Sequence, residues 1–340
     1  MSIIETHQLT KVFPGDVRAV DGIDFEVKAG EIFGFLGPNG AGKTTTIKVL
    51  NTLIKPTSGT ATVAGYDVVK NPAEVRKCIG YVAQDVGVDE YSTGRENLTL
   101  YGHFYRLDGR TIRERVKELF ELVDLTGFED KMVSTYSGGM RKRLDLAMGL
   151  IHYPKVIFLD EPTVGLDPQT RSHIWDYIRN LVKAMGITIF LTTHYMEEAD
   201  SLAGRIAIID LGKIVATGTP DELKQAIGGD VVTLSPRVTG EGERQESMKR
   251  IQSALSGKPF VLGMQATDGE LAVYVNRGES AVPGIMRLLS GEGIDIETIS
   301  MSRPTLDDVF LKYTGRTIRA QEGTRTTYAQ IQRKRMRKQQ

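Results

Sequence analysis

The sequence predicts an α/β protein: a first domain with a parallel sheet core, an antiparallel β part and a helical insert, then a small α+β domain. Residues 155–159 and 187–191 are continuous apolar runs, as expected of strands that are buried on both faces. The segment that starts at Pro168 and ends near Met185 lies between them and has helical spacing. Strand, helix and strand at this spacing predict a parallel βαβ unit.

The segments before this unit predict the antiparallel part and the insert. Residues 3–9, 24–27 and 31–36 are strand-like, and the short, turn-rich connections between them favour antiparallel pairing at the start of the chain. Residues 94–152 instead carry apolar residues at helical spacing in three stretches: 95–106, 112–124 and 138–152. We expect these three stretches to form a helical insert within the first domain.

The composition changes after Gly228 and Gly229, where we place the domain boundary. Strand-like and helical stretches then alternate in the βαββαβ order of a ferredoxin-like module: 231–234, about 246–255, 260–265, 271–275, about 280–289 and 294–301. We therefore expect a first domain over 1–228, an accessory domain over 229–315 and a basic, disordered tail over 316–340.

The overall composition favours a protein of the cytosol. Lys plus Arg and Asp plus Glu both number 43, so no net charge attracts nucleic acid. Cys78 is the only cysteine, which excludes an intramolecular disulfide and fits a reducing compartment. No stretch approaches the roughly 18 uninterrupted apolar residues of a membrane-spanning helix, and the polar start is not typical of a signal peptide. We expect any contact with a membrane to go through a partner.

A glycine-rich loop joins the predicted strand 31–36 to an apolar helical stretch. Its residues are Gly37, Pro38, Asn39, Gly40, Ala41, Gly42, Lys43 and Thr44, followed by Thr45. Strand, glycine loop and helix in this order are the context of a phosphate-binding P-loop, because the backbone N–H groups and the helix N-terminus attract an anion. We expect Lys43 to reach the β- and γ-phosphates of a nucleotide and Thr44 to bind Mg²⁺. The alternative, an ordinary glycine turn before a helix, is less consistent with the flanking elements.

Two carboxylates follow the buried run 155–159. Asp160 ends this strand and is placed to hold Mg²⁺, directly or through water. Glu161 comes one residue later and can polarise a water for attack on the γ-phosphate. The alternative is a pair of exposed carboxylates in the turn before Pro162. We favour the functional interpretation because a P-loop precedes the pair.

A second anion site is predicted at the start of the helical stretch 138–152. Ser137 is a suitable N-cap, and Gly138 and Gly139 leave backbone N–H groups uncovered behind it. As a cap alone, Ser137 needs no further role. Two phosphate-binding loops on separate helices of one chain, however, need an explanation.

The P-loop, the Ser-Gly-Gly turn at 137–139, the Asp-Glu pair at 160–161 and the later His194 resemble the nucleotide-binding subunit of ABC transporters in their order and spacing. The resemblance covers residues 1 to about 225. It implies a P-loop fold with a RecA-like sheet core that binds ATP and Mg²⁺ and hydrolyses the ATP. The catalytic residues that it implies are Lys43, Glu161 and His194.

The same resemblance explains the two phosphate-binding loops. It implies a head-to-tail homodimer in which Ser137, Gly138 and Gly139 complete the ATP site of the opposite subunit. It also implies an integral membrane permease subunit as partner. The protein would then be cytoplasmic and peripheral on the inner face of the cell membrane, with no nucleic acid expected.

The resemblance assigns roles to four further residues. His194 matches the histidine that senses the γ-phosphate, although a lone histidine at a strand end is more often structural. Gln84 matches the glutamine that links Mg²⁺ to the membrane-subunit contact; without this context it would be an ordinary loop amide. Asp167 matches a dimer-interface aspartate and also suits a helix N-cap before a proline. Phe13 stands where the family stacks an aromatic ring on adenine, and a core position is its alternative.

Two further comparisons refine the resemblance. Tyr136 and Met140 stand where the commonest form of the signature has Leu and Gln, but the Ser-Gly-Gly core is intact and we expect activity. Residues 229–315 resemble the C-terminal extension of daunorubicin-resistance-type export ATPases. That similarity implies export of a drug, an antibiotic or a lipid-like substrate.

Two other classes of protein remain open on the sequence. Soluble ABC ATPases that act on ribosomes or DNA share these motifs, but ribosome-associated members generally carry two cassettes, and this chain has one P-loop. Chromosome-type members interrupt the cassette with long coiled coils, for which too few residues separate Thr44 from Ser137. A P-loop kinase or small GTPase leaves the Ser-Gly-Gly turn and Gln84 unexplained.

Overall fold

Three sheets organise the residues that the computed structural model describes, which are 1–237, 241–267 and 270–314. The chain separates into two compact units: the N-terminal unit, Met1–Thr217, and the C-terminal unit, which begins at Gly218. The boundary predicted after Gly228 lies later in the chain. The basic tail expected over 316–340 lies outside the described residues.

The N-terminal unit alternates strands and helices. Its strands are β1 (Ser2–Phe13), β2 (Val17–Lys28), β3 (Ile32–Leu36), β4 (Ser58–Val63), β5 (Tyr66–Asp67), β6 (Ile79–Val82), β7 (Val156–Asp160), β8 (Thr188–Thr193), β9 (Arg205–Asp210) and β10 (Lys213–Gly218). Its helices are α1 (Lys43–Leu50), α2 (Pro72–Cys78), α3 (Gly94–Phe104), α4 (Gly109–Leu122), α5 (Gly138–Leu150), α6 (Pro168–Met185) and α7 (Met196–Leu202).

A six-stranded sheet in the order β10-β9-β3-β8-β7-β6 lies at the centre of this unit. The strands β9, β3, β8, β7 and β6 are parallel, and β7, α6 and β8 form the predicted βαβ unit. Side chains alternate between the two faces: Ile157 and Leu159 enter one core, whereas Phe158 enters the other, together with Phe190 of β8. Both faces are apolar for this reason, and the α/β prediction is confirmed.

Different layers cover the two faces of the parallel sheet. The antiparallel sheet β2-β1-β4-β5 and α1 share one core with it, and residues of α4, α5 and α6 share the other. The helices α3, α4 and α5 lie in the stretch predicted to be helical. Thr93 and Glu96 form a capping box at the start of α3. The long helix α6 ends at Gly186, whose φ of 63° is left-handed.

The C-terminal unit begins with one short helix, continues in the order βαββαβ and ends with another helix. Its elements are α8 (Pro220–Gln225), β11 (Asp230–Pro236), α9 (Glu241–Leu255), β12 (Val261–Thr267), β13 (Glu270–Val275), α10 (Gly278–Gly291), β14 (Ile296–Ser302) and α11 (Leu306–Thr314). The four strands form an antiparallel sheet in the order β12-β13-β11-β14. No helix in the described part of the chain is long and apolar enough to cross a membrane.

The last helix, α11, has one apolar face that the sequence leaves without an assigned partner. In the structure Leu306, Val309 and Phe310 of this face are buried, and α11 packs against α8 of the same unit. Lys312 Nζ adds a hydrogen bond to Ala226 O at 2.8 Å. The face is therefore part of a core, which argues against its use as a free docking surface.

His152, just after α5, ties this helix to the edge strand β6. Its ring stacks on Tyr105 with 3.5 Å between centroids, and Nε2 donates a hydrogen bond to Ile79 O at 2.8 Å. Burial lowers the pKa of His152 to about 4, and the positive charge of Arg115 lowers it further. Among the described residues, the buried Nδ1 has no hydrogen-bond partner. The folded protein therefore keeps this ring neutral under mildly acidic conditions.

This histidine should make the protein less stable in mild acid. Between pH 6.5 and 4 the unfolded chain protonates His152 and the folded chain does not, so the free energy of unfolding falls as the pH falls. Between pH 7 and pH 5, the free energy of unfolding measured with urea should fall by about 2 kcal/mol less for His152→Gln than for the parent. The exposed His173 provides the control: His173→Gln should keep the parent's pH dependence. Equal pH dependence of parent and His152→Gln would contradict the assignment.

Candidate functional site

The carboxyl ends of neighbouring parallel strands bring most of the predicted catalytic residues together. In the central sheet β8 lies between β3 and β7. The P-loop follows β3, Glu161 follows β7 and His194 follows β8, all at the same edge of the sheet. Asp160 is the last residue of β7 and lies at this edge as well.

The P-loop curls tightly between β3 and α1. Gly37 donates its N–H to Thr193 O at 3.2 Å, which anchors the loop to β8. Gly42 has a φ of 117°, and an added Cβ would lie 2.3 Å from Ala19 O, so only glycine fits. The other predicted residues of the loop and of the first turn of α1 are buried (Pro38, Ala41), half-buried (Thr44, Thr45) or exposed (Asn39, Gly40).

Lys43, the first residue of α1, turns its charge into the loop. Its side chain is buried, and Nζ donates to Gly37 O at 2.7 Å and to Pro38 O at 3.2 Å. Nζ also forms an ion pair with Glu161 Oε1 at 3.0 Å. The ammonium group is thereby fixed where a P-loop binds phosphates.

Glu161 connects Lys43 to His194, whose Nδ1 lies 3.0 Å from Glu161 Oε2. Burial by itself would raise the pKa of Glu161, but the His194 hydrogen bond and the Lys43 charge outweigh it and lower the pKa to about 2. The carboxylate is therefore ionised at neutral pH and only accepts, so His194 donates from a protonated Nδ1. Glu161 also has a left-handed φ of 49°, a strained conformation of the kind found at functional sites.

Asp160 lies beside the start of α1 and is buried. Its Oδ1 accepts hydrogen bonds from Thr44 Oγ1 at 3.3 Å and from Thr192 Oγ1 at 2.6 Å. A carboxylate and a hydroxyl in contact fit Mg²⁺, which takes oxygen ligands and is often held by one or two carboxylates together with phosphate oxygens.

The Ser-Gly-Gly turn lies on a different element, at the start of α5. Ser137 Oγ accepts a hydrogen bond from Met140 N at 3.3 Å and so caps the helix. Ser137 and Gly138 are exposed, and a Cβ at Gly138 would meet no atom within 4 Å. The start of this helix therefore presents an open turn to its surroundings, and helix N-termini of this kind attract anions.

Asp167 caps the neighbouring helix α6. Its carboxylate accepts hydrogen bonds from Thr170 N at 2.9 Å and from Thr170 Oγ1 at 2.6 Å. A Cβ on Gly139 would lie 2.8 Å from Thr170 Cγ2, so the starts of α5 and α6 are adjacent. The N-cap predicted for Asp167 is thus present, and the residue remains exposed beside the Ser-Gly-Gly turn.

Phe13 and Gln84 lie on elements other than those that carry Lys43, Glu161 and His194. Phe13 is 37% exposed at the end of β1, with Lys11 Nζ 5.3 Å from the centre of its ring. Gln84 is exposed in the loop after β6. Since β6 runs parallel to β7, this loop leaves the same edge of the sheet as Asp160.

Two residues that were not predicted, Thr192 and Glu198, hold site residues or neighbouring segments in place through hydrogen bonds. Thr192 holds Asp160, and its polar side chain at the end of an apolar strand was a usable signal. Glu198 of α7 is buried and accepts hydrogen bonds from Thr163 Oγ1 at 2.7 Å and Trp175 Nε1 at 3.0 Å. Burial raises the pKa of Glu198. This carboxyl ties the segment after Glu161 to α6 and α7.

Comparison with known proteins decides the family. A family model for ABC transporters matches residues 20–164, and one for the C-terminal domain of DrrA1-3-like ATP-binding proteins matches residues 218–314. The daunorubicin resistance ATP-binding protein DrrA2 of Streptomyces coeruleorubidus is 46% identical over 88% of this chain and 92% of its own. The chain belongs to the ATP-binding subunits of ABC transporters. As a member of this family, it is an ATPase that binds ATP.

Other relatives and solved structures agree with this family. The linearmycin resistance ATP-binding protein LnrL of Bacillus subtilis is 35% identical over 93% of this chain and 100% of its own. CbiO1 from Clostridium perfringens, part of the ABC transporter complex CbiONQ, has a TM-score of 0.62 and 29% identity, covering 66% of this chain and 93% of that one. The ATP-binding cassette MJ0796, a dimer bound to ADP and Pi, has a TM-score of 0.57 and 26% identity over 64% and 98%. ATP-binding subunits of this family normally pair with a membrane permease.

Proposed function

We propose that two copies of this chain bind two ATP molecules head to tail, and that hydrolysis drives export through a separate membrane subunit. One observation carries the dimer: the open Ser-Gly-Gly turn starts α5, whereas Lys43, Glu161 and His194 cluster at the ends of other elements. A second chain that places its turn on the γ-phosphate would complete each site. The related cassette MJ0796 is dimeric in a post-hydrolysis state bound to ADP and Pi, which supports a dimer for this chain.

The residues around Lys43 have different roles in ATP hydrolysis. The P-loop and Lys43 hold the β- and γ-phosphates, and Glu161 accepts the proton of the attacking water while His194 contacts the γ-phosphate. Phe13 stacks on the adenine, and Asp167 lies at the dimer interface. Mg²⁺, held by Thr44, Asp160 and Gln84, would neutralise phosphate charge.

The ion pair between Lys43 and Glu161 must be exchanged when ATP binds. With the His194 hydrogen bond and the charge of Lys43 both acting on it, the Glu161 carboxylate has a pKa of about 2 and is a weak base. The γ-phosphate offers Lys43 a stronger partner, since charge-assisted contacts to phosphate are among the strongest polar interactions. Once Lys43 turns to the phosphate, the pKa of Glu161 rises and the carboxylate becomes available to the water.

The remaining parts of the proposal concern the cargo, the location and the C-terminal unit. Relatives named for daunorubicin and linearmycin resistance and for Nod factor export support a drug, an antibiotic or a lipid-like substrate. Such a subunit would be cytoplasmic and peripheral on the inner face of the membrane, with no nucleic acid partner. Residues 229–315 would then be an accessory domain beside an ATPase domain over 1–228.

Purification from detergent extracts of the native host tests the partner. An integral membrane protein with several hydrophobic spans should co-purify with the tagged chain, at a fixed ratio of the two proteins. A tagged, unrelated cytosolic protein from the same extract provides the control for non-specific capture. Recovery of ribosomes or DNA in place of a membrane protein would support the soluble ABC ATPase and contradict the proposal.

A further inference from the structure

The loop that carries Gln84 is held at both ends by charged side chains of α5. On the β6 side, Lys142 Nζ donates a hydrogen bond to Ala83 O at 2.9 Å. On the other side, Gly87 donates its N–H to Asp145 Oδ1 at 3.3 Å. Gln84 lies between these two attachments and is itself exposed.

Lys142 and Asp145 also bind each other. They lie three residues apart on one face of α5, with Nζ 3.4 Å from Oδ2, and their side chains are 3% and 8% exposed. Burial lowers the pKa of Lys142 and raises that of Asp145, while their mutual attraction opposes both shifts. A buried ion pair adds little net stability over an apolar pair, so its value lies in the geometry that it imposes.

The same helix begins at the Ser-Gly-Gly turn. Ser137 caps α5, and Lys142 and Asp145 follow one to two turns later on the same rigid element. We propose that Lys142 and Asp145 are positioning residues that lock the Gln84 loop to α5, so that the turn and Gln84 move as one body. This inference rests on the proposed roles of Ser137 and Gln84. It assigns the mechanical coupling between the Ser-Gly-Gly turn and Gln84 to the ion pair of Lys142 and Asp145.

The pair affects hydrolysis more than binding. Lys43 and the P-loop, which lie between β3 and the start of α1, bind the phosphates of ATP. Lys142 and Asp145 lie on another element, α5. Loosening the Gln84 loop would therefore leave the first binding step intact. It would, however, misplace Gln84 when the composite site closes.

A double substitution tests this without leaving an unpaired buried charge. Lys142→Met with Asp145→Leu replaces the ion pair by apolar side chains, which proteins tolerate better than the loss of one partner. We expect kcat for ATP hydrolysis to fall about tenfold or more while KM changes less than about twofold. Hydrogen–deuterium exchange should rise in residues 84–89 and stay unchanged in β7 and β8. Lys142→Arg, which keeps a donor for Ala83 O and Asp145, should retain the parent's kcat.

The controls separate a positioning role from a structural one. Arg110 and Glu114 form an exposed ion pair on α4 at 2.9 Å, and replacing both with Gln should change neither kcat nor exchange at 84–89. Parent-like kcat in the Lys142–Asp145 double variant would overturn the proposal. Hydrogen–deuterium exchange that rises throughout the N-terminal unit, or unfolding of the variant, would also overturn the proposal, because the pair would then stabilise the fold as a whole.

Gln84→Ala in the same assay distinguishes failure of this inference from failure of the proposed function. If Gln84→Ala loses kcat and the double variant does not, the positioning role is wrong and the role of Gln84 stands. If neither variant loses kcat, the proposed role of Gln84 fails as well.

Discussion

Glu161→Gln is expected to abolish ATP turnover while ATP binding persists. The amide keeps the shape of the side chain but cannot take a proton from water, and loss of a general base slows a reaction by roughly 100- to 10,000-fold. The variant also lacks the carboxylate that pairs with Lys43 at 3.0 Å, so the phosphates of ATP no longer compete with it. ATP should therefore hold the dimer closed. Phosphate release measures the turnover, and light scattering with and without ATP measures the dimer.

Glu197, an exposed neighbour of the buried Glu198 on α7, provides a matched control. Glu197→Gln removes one negative charge from the same unit and should hydrolyse ATP at the parent's rate. If Glu161→Gln also hydrolyses ATP at that rate, Glu161 is not the base.

Ser137→Arg is expected to act on the opposite subunit of the dimer. The substitution puts a bulky cation on the open turn at the start of α5 but leaves Lys43 and the P-loop of its own chain untouched. ATP should bind the monomer with near-normal affinity. Hydrolysis should fall by roughly 100-fold or more, the scale seen when one preorganised donor is removed from an active site. Nucleotide titration and phosphate release measure the two effects separately.

Ser134 offers a matched position for this experiment, because it is exposed and lies three residues before Ser137. Ser134→Arg adds the same side chain outside the turn and should keep the parent's activity. Normal hydrolysis by Ser137→Arg as a monomer would contradict the head-to-tail site.

The parallel core was predictable because each of its inner strands is apolar on both faces. Phe158 and Phe190 fill one core while their neighbours fill the other, which gives continuous apolar runs. The strands β4, β5, β6, β9 and β10 were not predicted, although β9, Arg205–Asp210, is itself an apolar run in the parallel sheet. Half of β4, Ser58–Val63, is exposed and rich in Ser, Gly and Thr, and β6 has only four residues, too few for a pattern.

At the site, order along the chain predicted which residues meet, but not how they pair. Lys43, Asp160, Glu161 and His194 lie at or just after the carboxyl ends of strands of one parallel sheet, where ligand-binding residues of such sheets meet. The ion pair of Lys43 with Glu161 and the left-handed backbone of Glu161 depend on packing between distant segments. The buried Glu198 does too. No local pattern in the sequence reports such contacts.

Mixing two inactive variants tests the composite site most directly. Lys43→Ala spoils the P-loop of its own chain, and Ser137→Arg spoils the turn that serves the other chain. A mixed dimer has one site in which both halves are spoiled and one in which the intact P-loop of the Ser137→Arg chain meets the intact turn of the Lys43→Ala chain. We expect the mixture to hydrolyse ATP well above the sum of the two variants measured alone, with a maximum near equal amounts. ATPase activity that stays at that sum, while light scattering shows mixed dimers in ATP, would contradict the head-to-tail account.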